Sequence, residues 1–404
     1  MAEKLMSWAS SLGTHLHQDV EIYEDPVTGL SFRARRDIPP QTKLVNSSYA
    51  TTLSYLNAVN APGFLRHGKA FPEQFLVILS PENPNIISHF FLMQQYLLGG
   101  GSFWWPYIQL LPQPDKPSSI PALWPAEDQS YLDGTNAEPA IKKQTALWKE
   151  EWGKAIALLD DFDNHEKYTY DLYKWAASIF GSRSFRPSLT ISEGLVPDQE
   201  EHVRMDKFSI LLPVMDIGNH NGIDNVDWTP DSSSRLFTLS NRHPVRQKEQ
   251  IFNYYGNKSN SELLVAYGFT LPATPNLDRD VVNLKLKPLG EALALRRSQH
   301  CHAIPREPEE EFMFSVKKRI VSENTRAMQD LDNLSAGLID LVVCMVANKR
   351  EKFYLLQTPD YCPERDPRIS ESPVSRALLT ALQILILKLS SEQYRIADTV
   401  ATFW

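Results

Sequence analysis

The sequence predicts an α+β fold: a β core split in two by a helical insertion, then an all-helical C-terminal domain. Three patterns carry this. Short alternating segments with turn signals occupy Val20–Val45 and return from 208 to 254. The chain between them is rich in apolar residues at helical spacing. Past Pro272 helical periodicity resumes, with segments at 309–330, 335–348, 374–389 and 391–402. Two pieces of β material so far apart must pair with each other, because neither is large enough to form a sheet with its own core. The expected boundaries are 1–271 for the first domain, with its β core at 20–55 and 205–271 and the insertion at 56–204, and 272–404 for the second.

Element by element, Leu5, Trp8, Ala9 and Leu12 share one face of a helix over 3–12, and Gly13 is placed to end it. In VEIYEDPVTGLSFRARRDIPPQTKLV, Asp25-Pro26 and Pro39-Pro40 mark turns between strands. Pro106, Pro112, Pro114, Pro117, Pro121 and Pro125 bar a helix interior, so that stretch reads as a long loop packed through Trp104, Trp105 and Trp124. Trp148, Trp152, Ala155, Ile156, Leu159 and Phe162 predict one helix over 142–163. Strands are expected at 208–214, 235–240 and 250–254, and a helix at 260–267, with Ser259 or Asn260 as N-cap and Glu262 in its first turn.

Composition excludes several classes. Hydrophobic residues at 42% and charged residues at 22% describe a globular chain. A net charge of -8 argues against general nucleic-acid binding. Cys301, Cys344 and Cys362 are too few and too scattered for a zinc site or a disulfide framework, so no metal is expected and a reducing compartment is. No basic segment followed by an apolar run opens the chain, and no secretory signal is expected. Leu338–Ala347 and Ala381–Leu389 are too short to span a bilayer and read as buried helices.

Two motifs concentrate the chemistry: LLPVMDIGNHNG at 211–222, and IFNYYGNKSNSELLVAYGF at 251–269. Together they resemble the catalytic end of SET-domain protein methyltransferases, in the group similar to Rubisco large-subunit lysine methyltransferase. The resemblance implies transfer of a methyl group from S-adenosylmethionine to a protein, with Tyr255 beside the methyl group as the catalytic residue. A one-residue slip would put Tyr254 there instead. By the same resemblance Asn219 meets the donor through its side chain and His220 through its backbone. Asp216 holds the local turn or lines the target channel, and Tyr267 faces donor or channel. SIFGSRSFRPS at 178–188 is similar to the family's Ser-Arg-x-Phe segment. That implies Arg183 on the donor's carboxylate, a task suited to a guanidinium fork, with Ser182 and Phe185 along the target channel. TGLSFRARRDI at 28–38 resembles the glycine turn where Thr28, Gly29 and Leu30 approach the donor. Ser31 stands where the family pattern has a second glycine, and Thr28 where it often has an acidic residue.

Methyl transfer needs a neutral amine. A free lysine has a pKa of about 10.4, so neutralising it at pH 7 costs roughly 4.6 kcal/mol, which a dry aromatic channel beside a sulfonium lowers. Phe185 and Met215 bear on the nucleophile. In the histidine-directed branch of the family an Asn and a Trp stand at these positions. An apolar wall suits a lysine stem. The absence of a cysteine-rich segment after Tyr255 sets the chain apart from many histone-directed relatives. NLDRDVVNLKLKPLG at 276–290 is similar to the start of the group's C-terminal substrate-binding domain. The resemblance thus implies a lysine methyltransferase for a non-histone protein, ribosomal or translation-associated, acting as a monomer in cytoplasm and nucleus, without nucleic acid or membrane. Histidine methyl transfer and a non-catalytic binding module on a SET scaffold are the alternatives.

Overall fold

The computed structural model describes residues 2–61, 63–65, 68–191, 207–231, 233–272, 281–286, 288–300, 312–317 and 337–362. The chain divides into two compact units. One comprises Met1–Gln129 and Pro139–Pro272, the other Ser130–Glu138 and Ala273–Trp404. The short stretch Ser130–Glu138, read from sequence as part of the insertion, thus groups with the second unit.

In the first unit the two β pieces pair across the insertion, through three small antiparallel sheets. Gly29–Ala34 lies between Val20–Asp25 and Gln250–Ile251, with Phe32 opposite Ile251. Lys43–Ser48 and Leu236–Asn241 form the centre of a four-stranded sheet, with Val45 opposite Leu239. Leu53–Ser54, Ile210–Leu211 and Ser184–Phe185 make the third. Phe32, Val45, Leu239 and Ile251 are all buried, so the pairing that joins the halves also builds the core. The turn before Gly29 is closed by Asp25, whose Oδ1 accepts the N–H groups of Val27 and Thr28 at 2.9 and 3.0 Å.

Three strands differ from expectation, the run 250–254 being a strand only at Gln250–Ile251. The run 208–214 pairs only at Ile210–Leu211, because Pro213 has no N–H to donate and Val214 turns to φ 74°. Val226–Asp231 is an additional strand, hidden in the sequence by Pro230 and two aspartates. It is tolerated because it lies at the sheet edge.

The insertion is helical at Glu73–Glu82, Pro84–Leu97, Ala137–Ile156 and Tyr170–Arg183. Pro84–Leu97 is buried along most of its length and packs on Tyr170–Arg183. The helix expected over 142–163 begins five residues earlier and stops at Ile156. Pro139 sits in its first turn, where a missing N–H costs nothing. After Ile156 the chain runs through tight turns to Asn164 at φ 59°, which bury Leu159 and Phe162 without continuing the helix. The proline-rich stretch is not structureless: it carries the short helices Trp105–Ile108 and Ala126–Gln129. Trp104 is fully buried, and its indole N–H donates to the carbonyls of Thr51 and Thr52 at 3.0 and 3.1 Å. Buried His89, Tyr173 and Glu151 and half-buried Asn83 form a polar chain. Burial pushes the His89 imidazole down to about 3 and raises the Glu151 carboxyl.

In the second unit, Leu295 of Gly290–Ser298, Ile339, Val343 and Cys344 of Leu338–Val346, and Leu355 of Lys349–Gln357 share one core. The all-helical expectation needs a correction here. Val281–Lys285 and Met313–Lys317 form an antiparallel ladder. Both segments carry valine, whose branched side chain suits a pleated strand. Cys301 and the helices expected at 374–389 and 391–402 lie outside the described residues, as does most of 309–330. Among the described residues no helix is long and apolar enough to cross a membrane.

The segments 218–220 and 253–255 approach each other closely in the first unit. Gly218 has φ -62°, so its need is for space rather than for an unusual conformation. A Cβ there would lie 2.9 Å from the Cβ of Asn253. Gly218→Ala is expected to destabilise the unit by about 1–3 kcal/mol, the usual cost of overpacking, measured by urea unfolding.

Candidate active site

The two motifs meet at that approach. The Asn253 N–H donates to the Asn219 carbonyl at 2.7 Å, and His220 and Asn253 form a parallel β bridge. The Tyr255 N–H donates to His220 Nδ1 at 3.3 Å, so Nδ1 is the unprotonated nitrogen of that ring. Burial pushes the His220 imidazole down to about 4, which keeps it neutral in this role. The Tyr255 ring is stacked between His220, at 5.1 Å between centroids, and Tyr267, at 4.8 Å. Its hydroxyl donates to the Gly218 carbonyl at 2.9 Å. Burial, with Tyr267 and Asp216 adding to it against Arg183, raises the phenol above its ordinary value, so it stays protonated. Tyr254 makes a looser, tilted contact with His220 at 5.5 Å. Arg183 and Asp216 both act electrostatically on Tyr255.

Asp216 follows Val214, a β-branched residue held at φ 74°, ψ -48°, which is a sparsely populated conformation. The Asp216 side chain is 2% exposed. Its Oδ2 accepts the Tyr107 hydroxyl at 2.8 Å and Arg183 Nη1 at 3.3 Å, while Oδ1 is buried without a partner. Burial raises this carboxyl and Arg183 opposes the rise. For Arg183, burial acts to lower the pKa, but Asp216, with Tyr107 and Tyr255, outweighs it and raises it. Arg183 is the last residue of its helix, and its guanidinium also reaches the Asp216 carbonyl. Its side chain is 31% exposed.

Asn219 links this cluster to the glycine turn. Its Nδ2 donates to Ser31 Oγ at 2.7 Å and to the Leu30 carbonyl at 3.3 Å. Thr28 Oγ1 lies 3.0 Å from Ser31 Oγ, and Gly29 stands at φ 71° with no atom within 4 Å of where a Cβ would be. The structure therefore gathers Thr28, Gly29, Leu30, Arg183, Asp216, Asn219, His220, Tyr255 and Tyr267 into one connected region. Ser182 is placed differently: its hydroxyl donates back to Ser178 of its own helix at 2.8 Å. Phe185 is buried edge-on to Trp228 at 5.4 Å and to Phe237 at 6.0 Å. Trp228 in turn donates its indole N–H to Asn253 Oδ1 at 2.9 Å.

Sequence reasoning missed Tyr107, Asn253 and Trp228. Tyr107 comes from the proline-rich stretch, where nothing local marks it. Trp228 lies on the strand that Pro230 obscures. Asn253 did carry a signal, since it stands two residues before Tyr255 and shares its face of an extended chain.

The folds of solved proteins decide the architecture. The SET domain of the large-subunit methyltransferase LSMT bound to methyl-lysine and AdoHcy superposes with a TM-score of 0.60 at 17% identity, covering 99% of this chain and 91% of that one. The chain has the SET-domain fold. Rubisco LSMT bound to AdoMet gives a TM-score of 0.58 at 17% identity, over 99% of this chain and 91% of that one. Sequence similarity points the same way. Ribosomal lysine N-methyltransferase set10 of Schizosaccharomyces pombe is 30% identical, over 70% of this chain and 48% of that protein. N-lysine methyltransferase setd6 of Xenopus laevis is 28% identical, over 73% and 62%. An actin-histidine N-methyltransferase of Drosophila melanogaster is 25% identical, over 73% and 53%. The matched region spans between about half and three fifths of the length of these relatives. No family model matches the chain.

The neutral His220 has a consequence for stability in this SET fold. Its pKa is depressed in the folded state, to about 4 against 6.5 for the free side chain. Between those values the unfolded chain binds the extra proton, so stability is full above about pH 6.5 and falls as pH drops toward 4. The shift corresponds to a loss of about 3 kcal/mol. His220→Asn, which can still present an acceptor to the Tyr255 N–H, is expected to flatten that slope in denaturation curves taken across the window. The part due to His89 should persist.

Proposed function

We propose that this chain is an S-adenosylmethionine-dependent protein-lysine N-methyltransferase acting on a non-histone protein, ribosomal or translation-associated. The carrying observation is the convergence of Arg183, Asp216 and Asn219 with Tyr255 at one backbone approach, within a SET fold. The names of the yeast and frog relatives support lysine as the target, and the first of them supports a ribosomal substrate.

The residues present fit the donor. Arg183 offers a guanidinium on a partly exposed side chain for its carboxylate, and Asn219 an acceptor oxygen for its ammonium group. Gly29 leaves open space at the turn, and the His220 backbone is held at the edge of the site. When bound, the donor supplies an electrophilic methyl on a sulfonium. The chain's own work is to hold the target amine in line and to exclude water. Tyr255 is suited to this. Its proton is committed to the Gly218 carbonyl, so its oxygen is left as an acceptor, able to orient the amine N–H. Its raised pKa excludes it as a base at neutral pH. Asp216 Oδ1 is a buried acceptor that faces no protein donor. Tyr267 and Phe185 serve as the walls of the target channel, with Thr28 and Leu30 on the donor side.

The relatives also include a histidine methyltransferase. Phe185 argues against that nucleophile, since a ring packed on Trp228 and Phe237 offers no hydrogen bond to an imidazole. The test is incubation of the chain with labelled S-adenosylmethionine and cell extract, followed by mass spectrometry of the labelled protein. Methylated lysine is the expected product. A folded chain that binds donor yet labels nothing would defeat the enzyme reading, and methylated histidine would defeat the lysine reading.

Tyr255→Phe is expected to lower turnover at least a hundredfold, the order seen when a positioned hydroxyl is removed from a reacting centre. Affinity for S-adenosylhomocysteine should stay nearly unchanged. Loss through Tyr254→Phe instead would shift the assignment by one residue.

A further inference from the structure

We infer that Ser31, which stands where the family pattern has a glycine, is a positioning residue that fixes the side-chain amide of Asn219 toward the donor's ammonium group. The inference rests on the proposed donor site and deepens it.

The Ser31 side chain is fully buried in the Gly29–Ala34 strand. Its hydroxyl donates to the Gly29 carbonyl at 2.9 Å, which leaves the oxygen as an acceptor. The shortest bond it accepts comes from Asn219 Nδ2, at 2.7 Å. Gln250 Nε2, at 3.2 Å, and Thr28 Oγ1, at 3.0 Å, complete the polar cluster around it. Asn219 Nδ2 has a second contact, the Leu30 carbonyl at 3.3 Å.

That second contact decides which way the amide faces. A backbone carbonyl only accepts, so the group turned to Leu30 and Ser31 must be the NH2. Both of its protons are then committed, one to each partner. Asn219 Oδ1 is left without a protein donor among the described residues, on a side chain that is not fully buried. A fixed acceptor recognises a hydrogen-bond donor. At the amino-acid end of S-adenosylmethionine that group is the ammonium, while the carboxylate goes to Arg183. With glycine at 31 the amide would keep only the long bond to Leu30 and could rotate. The ordering would then have to be achieved on binding, at a cost in affinity.

The experiment is titration calorimetry of the full chain with two ligands. S-adenosylhomocysteine carries the amino-acid end, and 5′-methylthioadenosine keeps the adenosine and thioether but lacks it. Ser31→Ala is expected to weaken S-adenosylhomocysteine roughly tenfold, the loss of about one hydrogen bond, and to leave methylthioadenosine unchanged. Ser31→Gly should behave in the same way and stands in if the alanine variant fails to fold. Unchanged affinity for S-adenosylhomocysteine overturns the inference. So does an equal loss for both ligands, which would mean that Ser31 only supports the strand. A wild-type chain that takes neither ligand overturns the donor-site reading itself, and this inference with it.

Discussion

The site depends on one backbone approach. Residues 218–220 and 253–255 pass so closely that only a glycine fits at 218, and a parallel bridge locks them together. The donation from Asn253 N–H to Asn219 O, at 2.7 Å, fixes the backbone of the residue that reaches the glycine turn. The donation from Tyr255 N–H to His220 fixes the start of the tyrosine. The return bond from the Tyr255 hydroxyl to Gly218 O then ties the far end of the same side chain to the same segment. A tyrosine held at both ends loses little further entropy when substrate arrives, which is what an alignment role requires.

Around this approach the insertion supplies part of the polar network. Arg183 and Asp216 are a charged pair whose carboxylate is almost fully buried, and such a pair stabilises little unless its remaining hydrogen-bonding capacity is met. Tyr107, from the insertion, meets part of it. Its phenol is held well above its ordinary pKa by burial and by Asp216, so it remains a donor. Asp216 Oδ1 is left unmet. A buried acceptor without a donor is costly in a resting protein. The strained turn at Val214 that carries Asp216 belongs to the same account, because an off-pattern backbone persists only where its surroundings hold it.

Much of this was legible in the sequence, and for identifiable reasons. The split β core showed because strand signals at 20–45 and 208–254 stand apart from helical periodicity between them. The helix at 260–267 showed because Ser259 and Glu262 form a capping box, a local code complete within four residues. Val226–Asp231 was hidden because an edge strand accepts a proline that reads as a break. The ladder Val281–Lys285 with Met313–Lys317 was hidden because its two halves are far apart, and no local signal reports a distant partner. Tyr107 failed for the same reason. Its role comes from a hydrogen bond to a residue more than a hundred positions away. Ser31 was legible only as a departure, and its partner Asn219 had to be placed in space before the departure acquired a meaning.

Asn253 joins these observations into one mechanical unit. Its N–H holds Asn219, on the donor side. Its Oδ1 accepts the Tyr254 N–H at 2.8 Å and the Trp228 indole at 2.9 Å, and Trp228 packs against Phe185, on the target side. Asn219, proposed for the donor, and the Trp228–Phe185 wall, proposed for the target, are therefore fastened to the same buried residue. In-line transfer requires the two reactants to be registered to a fraction of an ångström. A site whose two walls were fastened to separate loops could bind both and still misalign them. Here the wall that would meet the amine and the residues that would hold the donor move together, because one asparagine terminates the hydrogen bonds of both.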